Sequence, residues 1–298
     1  MSSTGTPVYE PGNYSANRPQ YKPDLAAKIV AFHKTANPNA ATDLAVDVAT
    51  GTGIFARQLP QYFTRVIGTD ISNAMLESAR HSTGGGSVQY IQSPAESLSF
   101  LQDQTVDLIT VATGAHWFDI TKFLQEARRV LKPSGTLAIF GYTGFAKFTK
   151  YPQCDSVLRN YGLGDDMLGP YWEKGRDVLT DGYFKYHQEL ARTFWTGIQR
   201  QVYPEALEPN PTPIYPARVS LEPHVMDFKV TWRTLRQFLS TWSPLDIYQK
   251  KHPGDQKLCD SVIDDMMLIS GVTDLDEEVA LNWEQILVLA HSPNLALV

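Results

Sequence analysis

The sequence has little cysteine, no long apolar run and no surplus of basic charge, and each shortage removes a class of function. Its two cysteines, Cys154 and Cys259, stand far apart in 298 residues and match no metal or redox spacing. They read as buried or idle thiols. No apolar run approaches the roughly 20 residues of a membrane span. The opening MSSTGTPVYEPGNYS has neither the basic nor the apolar segment of a secretory signal, so a cytoplasmic protein with no membrane role is expected. Lys and Arg total 26 against 32 Asp and Glu, a formal net charge of −6. Nucleic-acid binding rests on neutralising phosphates and is not expected here. An anionic ligand has to be met by a few local arginines instead of a positive global field. His33, His224 and His252 stand without partners at ligand spacing, so no metal is assigned.

What is present is 43% apolar residues, enough for a full core, laid out as an alternation of strands and helices. Pro23–Ala36 reads as a helix, with Pro23 and Asp24 favouring its start. Strands follow at Leu44–Ala49, Arg65–Asp70, Val88–Gln92, Val106–Ala112 and Thr136–Tyr142. Helices are expected at Ile54–Tyr62, at Asn73–His81 behind a Ser72 cap, and at Lys122–Leu131 before Pro133 and Gly135. This rhythm predicts an α/β fold, a doubly wound parallel sheet. After Gly144 the rhythm breaks. Residues 145–216 carry many aromatics and the prolines 204, 209, 211, 213 and 216, and read as an inserted cap with short helices and a long loop. Arg233–Lys250 and Gln256–Ser270 look helical, and Val279–Ala290 reads as a closing strand. The expected organisation is an N-terminal segment 1–22 over the active site, a cofactor-binding core 23–144, a substrate-covering insertion 145–216 and a C-terminal part 217–298 that completes the sheet.

The stretch VDVATGTGIFARQL runs from Val46 into a glycine turn at Gly51 and Gly53, and Asp70 ends the next strand. Glycines let the backbone turn sharply and approach a ligand closely. A following helix presents free N–H groups to a negative group, and an acid at Asp70 can accept from ribose hydroxyls. NAD and S-adenosylmethionine make the same demands here. Asp47 separates them. An acid inside an apolar strand is costly without a partner. The ammonium of S-adenosylmethionine supplies a cation there, and an NAD site does not.

Five segments in order, VDVATGTG, VIGTDISNAML, SPAESLSF, VDLITVATGAHWFD and RRVLKPSGTLAIFGY, resemble the class I S-adenosylmethionine-dependent methyltransferases over residues 14–142. NYSANRPQYKPDL, GAHWFD, LGPYWEKGR and TWS resemble, more narrowly, the trans-aconitate methyltransferase-like group of fungal enzymes. The resemblance implies a mostly parallel seven-stranded Rossmann-like sheet and S-adenosyl-L-methionine as cofactor. It assigns Asp47, Gly51 and Gly53 to the methionine end, Asp70 to the ribose and Ile71 to the adenine. Ala95 and Glu96 fall at the adenine edge, Thr113 and His116 near the sulfonium, and Tyr14 among the cofactor contacts. Ala49 departs from the pattern, because a glycine is usual there. Glu96 reads almost as well as a solvated acid at a helix start, and Asp107 better as a sheet-end residue than as a ligand.

His116 and Trp117 follow the fourth strand, at the sheet rim where open α/β sheets bind ligands. His116 is the candidate catalytic residue, either as a base for a hydroxyl acceptor or as a positioning group. A carboxylate acceptor, ionised above a pKa of about 4, needs no base. Arg18 and Arg176 are the candidate cations for such an acceptor, since guanidinium suits bidentate recognition of carboxylates. Tyr21, Trp117, Tyr171 and Trp172 are candidate walls, and Trp242 reads as packing. The expected function is O-methylation of a carboxylic acid of trans-aconitate type. The alternatives are O-methylation of a hydroxyl or phenol with His116 as base, and a non-methylating cyclisation or rearrangement in the same pocket. No protein partner is expected.

Overall fold

The computed structural model describes residue 18 and residues 21–84, 86–173, 175–203 and 226–293. The chain divides into two compact units. Among described residues one holds Arg18, 144–176 and 226–283, and the other 21–143, 177–203 and 284–293.

The larger unit is built on a sheet in the order β3-β2-β1-β4-β5-β8-β6. These strands are β1 (Leu44–Val48), β2 (Arg65–Asp70), β3 (Gln89–Gln92), β4 (Val106–Ala112), β5 (Leu131–Phe148), β6 (Thr196–Tyr203) and β8 (Glu278–His291). Pairings among β3, β2, β1, β4 and β5 are parallel, and β6 runs antiparallel to β8. β1 is buried along its whole length, as a central parallel strand covered on both faces must be. Helix α1 (Pro23–Ala36) buries Leu25, Ala26, Ile29, Val30, Phe32 and His33. Helix α2 (Asn73–Thr83) starts behind Ser72, whose side chain accepts from Met75 N–H, and stops at Gly84 in the left-handed conformation. Helix α3 (Ile120–Val130) begins behind Asp119 and turns Phe123, Leu124, Ala127 and Val130 to the core.

Three expectations need correction. The helix expected over Ile54–Tyr62 is a run of turns with one 3-10 segment, Ala56–Gln58. Pro60 has no N–H for Ala56 and its ring crowds that carbonyl, so Leu59 bonds Ala56 by the shorter i→i−3 step instead. Within the region read as helices and loop, 196–203 forms strand β6, because β8 offers it a partner; its described part also holds the end of β5, the 3-10 turn Gly169–Tyr171 and helices α4 (Cys154–Leu163), α5 (Arg176–Thr180) and α6 (Phe184–Arg192). The proline cluster lies outside the described residues. The single helix expected over Arg233–Lys250 is two, α7 (Trp232–Ser240) and α8 (Ser243–Lys251), broken before Pro244.

In the smaller unit β7 (Met226–Thr231) pairs antiparallel with Glu278–Trp283 of β8. Helix α9 (Leu258–Ser270) buries Leu258, Cys259, Val262, Ile263, Met266 and Met267. Both cysteines are buried and free. Cys154 Sγ lies 3.1 Å from Ser270 Oγ, and burial holds both thiols above their usual pKa. No helix of the described residues is long and apolar enough to cross a membrane.

Candidate active site

The carboxyl ends of β1, β2 and β4 place the candidate cofactor residues side by side. Asp47 sits in β1 opposite Thr110 of β4 in register and is fully buried. Its Oδ1 accepts from Thr110 Oγ1 and its Oδ2 from Thr50 Oγ1, each at 2.6 Å. Burial pushes its carboxyl up to about 6, against the two threonine hydrogen bonds, which pull it down. The acid therefore ties the glycine loop to β4 and offers a strong local charge to any cation brought near it. Thr50 and Thr110 had a signal in the sequence, two polar residues matching Asp47 inside or next to apolar strand runs.

Past Asp47 the backbone is left-handed at Ala49 (φ 54°), Gly51 (φ 56°) and Gly53 (φ 75°). A Cβ on Gly51 would meet nothing within 4 Å, so the loop faces open space there. One on Gly53 would lie 2.4 Å from the Tyr90 hydroxyl. Asp70 closes the loop from β2. Its Oδ2 accepts from Gly51 N–H and its Oδ1 from Ser72 N–H, each at 2.8 Å. A carboxylate has about four lone-pair sites, so these two bonds do not use up its accepting capacity. Burial raises its pKa. Ile71 follows with 62% of its surface exposed, an apolar residue at the loop end of β2 without a covering neighbour. Ala95 is buried in the core, and Glu96 accepts from Asp119 N–H at 2.9 Å, which joins its loop to the start of α3.

At the end of β4, Thr113 is also left-handed (φ 54°), and its hydroxyl lies 2.5 Å from the Tyr21 hydroxyl. Tyr21 is buried, edge-on to Phe55 and Phe140, and its carbonyl accepts from Gln58 Nε2. It holds the start of α1 against the sheet rim. His116 and Trp117 share a 3-10 turn, Ala115–Trp117, with their rings 5.0 Å apart and Trp117 46% exposed. Tyr186 Oη donates to Ala115 O at 2.8 Å and anchors that turn. Asp107, at the other end of β4, accepts from Asp43 and Leu44 N–H and pairs with Lys132 at 2.8 Å, a sheet-end role.

The candidate acceptor residues of the smaller unit gather on one aromatic cluster. Trp242 is its centre, with Phe145, Tyr161, Trp172 and Phe238 at 5.5–6.1 Å between centroids. Arg176 lies 3.9 Å over Trp172 and 5.6 Å over Phe145, and Arg18 lies 5.3 Å over Phe238. Burial lowers the Arg176 guanidinium to about 10. Tyr171 faces elsewhere, edge-on to Tyr248 with its hydroxyl 2.7 Å from His252 Nε2. Tyr14 lies outside the described residues.

Residues 46–139 match the family model of a methyltransferase domain. The chain is 25% identical to CRG1 of Saccharomyces cerevisiae, described as a probable S-adenosylmethionine-dependent methyltransferase, over 92% of this chain and 93% of that one. It is 33% identical to a candidate methyltransferase of Dictyostelium discoideum over 61% of this chain and 65% of the relative. A solved structure from Anaeromyxobacter dehalogenans, a candidate type II methyltransferase, superposes with a TM-score of 0.65 at 23% identity, covering 93% of this chain and 99% of that chain, and shares its fold. The open face of the Gly51 loop, the carboxylate of Asp70 beside it and the buried carboxyl of Asp47 fit a nucleoside that carries an ammonium. The matched methyltransferase domain and the near full-length similarity to CRG1 support a class I S-adenosylmethionine-dependent methyltransferase, with S-adenosylmethionine as its cofactor.

Proposed function

We propose that this methyltransferase acts on a small organic acid and forms a methyl ester at a carboxylate. The observation that carries the reading is the pair of arginines on one aromatic cluster: Arg18 on Phe238 and Arg176 on Trp172 and Phe145, joined by Trp242. In a chain of net charge −6, two guanidiniums held on one aromatic cluster support an anionic acceptor. The resemblance of NYSANRPQY and LGPYWEKGR to the trans-aconitate group points the same way. A cytoplasmic enzyme without a protein partner belongs to the same reading.

S-adenosylmethionine supplies an electrophilic methyl group on a sulfonium. With it bound, a carboxylate oxygen would take that methyl group as the C–S electron pair stays with sulfur, giving the methyl ester and S-adenosylhomocysteine. No proton has to move. In this reading Asp47 and the 51–53 loop hold the methionine end, Asp70 holds the ribose and Ile71 covers the adenine. The arginines fix the acid, and His116 and Trp117 line the rim and exclude water. A second reading, methylation of a phenol with His116 as base, draws on the place of His116 in the turn after β4.

The test is turnover of a panel of di- and tricarboxylic acids and of phenols by wild type, His116→Ala and Arg18→Ala. The acid reading expects esters from the acids and His116→Ala turnover within about tenfold of wild type. Arg18→Ala should raise KM at least about tenfold while cofactor affinity stays within about twofold. Turnover of phenols alone, abolished by His116→Ala, contradicts it.

A further inference from the structure

Gly114 opens the GAHWFD segment, and its backbone does not require a glycine. At φ −123° and ψ −20° it has a conformation open to L residues. Its space is what forbids a side chain. A Cβ there would lie 2.8 Å from Ala49 Cβ, closer than real methyl groups approach, while the next atoms, Ala49 O and Val111 Cγ1, stand at 3.7 Å. The obstacle is a methyl fixed directly to the backbone, so no side-chain rotation relieves it. Ala49 in turn is left-handed at φ 54°. Its methyl is directed at the loop after β4, and the open space of the cofactor loop lies at Gly51.

We propose that Ala49 and Gly114 form a complementary pair that sets the spacing between the cofactor loop after β1 and the loop bearing His116 and Trp117, with Gly114 a positioning residue for cofactor binding. Thr113, just before Gly114, is held left-handed by β5 through its N–H to Phe140 O at 2.7 Å and by the Tyr21 hydroxyl. Just after it, Trp117 N–H bonds Gly114 O at 3.1 Å and starts the turn that carries His116. A methyl added at Gly114 must therefore push on the cofactor loop, because its own loop is pinned on both sides. The pair acts on cofactor binding whichever acceptor is methylated.

The test is a double-variant cycle on the full chain, Gly114→Ala, Ala49→Gly and the two combined, read by calorimetry with S-adenosylhomocysteine and by thermal melting. Affinities are taken at a temperature where the melts show each variant folded, which separates a displaced loop from a loss of stability. Gly114→Ala should bind at least about tenfold more weakly than wild type, and the combined variant should return to within about threefold of Ala49→Gly alone. Wild-type affinity in folded Gly114→Ala, or a combined variant no tighter than Gly114→Ala, overturns the proposal. Should Gly114→Ala fail to fold, the combined variant must melt within a few degrees of Ala49→Gly; an equally unfolded combined variant overturns it too.

Discussion

Asp47 is the residue where stability and its proposed cofactor role pull apart. Its carboxyl, pushed up to about 6 by burial from a reference of 3.8, favours folding fully below the reference value and loses that contribution as pH rises through about 6. At neutral pH the folded, cofactor-free protein therefore holds a charge that costs on the order of 3 kcal/mol. Asp47→Asn should raise the melting temperature at pH 7.5 by several degrees in scanning calorimetry and abolish S-adenosylmethionine binding. A lower melting temperature would contradict the cost, and retained binding would contradict the role. In the wild type, cofactor affinity should fall by up to about tenfold per pH unit below about 6, as the carboxyl protonates. The residue was legible because an acid inside VDV is unusual among apolar neighbours. Its partners Thr50 and Thr110 stood out only as polar residues in or beside apolar runs; that Thr110 faces Asp47 comes from strand pairing.

At the scale of elements, strands with buried apolar runs could be read closely: Arg65–Asp70 and Val106–Ala112 form as expected, as does helix Pro23–Ala36. The segment after β1 could not, because its apolar spacing suits a helix while Pro60 denies it the bond to Ala56. β6 was hidden for another reason. TGIQRQVY has no clear alternation, and its strand depends on antiparallel pairing with β8, a contact far away in sequence. Arg18, Arg176 and Trp172 could be named as candidates, but that they share rings around Trp242 depends on packing that spacing does not reveal. The loop itself makes a sharp prediction. Gly53→Ala combines a φ of 75° with a Cβ 2.4 Å from the Tyr90 hydroxyl, which Thr83 holds at 2.8 Å. It should destabilise by roughly 1–3 kcal/mol and lose cofactor affinity, in denaturant titration and calorimetry. A neutral result would mean that β3 yields to the loop.

At the scale of the whole molecule, buried His291 of β8, joined to α1 and β5, contributes to acid sensitivity. His33 Nδ1 and His291 Nδ1 both meet Thr136 Oγ1, at 2.9 and 3.2 Å. His291 Nε2 meets Thr35 Oγ1 at 3.1 Å, and Phe32 stacks on its ring. Burial, with the nearby His33 adding to it, lowers His291 from 6.5 to about 4. A group with a depressed folded pKa favours folding above its unfolded value and loses that contribution as pH falls through the folded one. Asp47 works the opposite way over much of the same range, so the measure is the difference: between pH 6.5 and 4, His291→Asn should show a shallower decline in melting temperature than wild type, while lowering stability at pH 7.5. A variant whose decline is as steep as wild type would place the acid sensitivity elsewhere.

The central claim, methyl transfer to a carboxylate, is tested most directly by the chemistry of the product. The protein is incubated with methyl-labelled S-adenosylmethionine and di- or tricarboxylic acids, and the product is treated with mild alkali. An ester releases its label as volatile methanol, and that release, dependent on both enzyme and acid, is the predicted result. Label transferred into an alkali-stable product, with none released as methanol, would contradict the account.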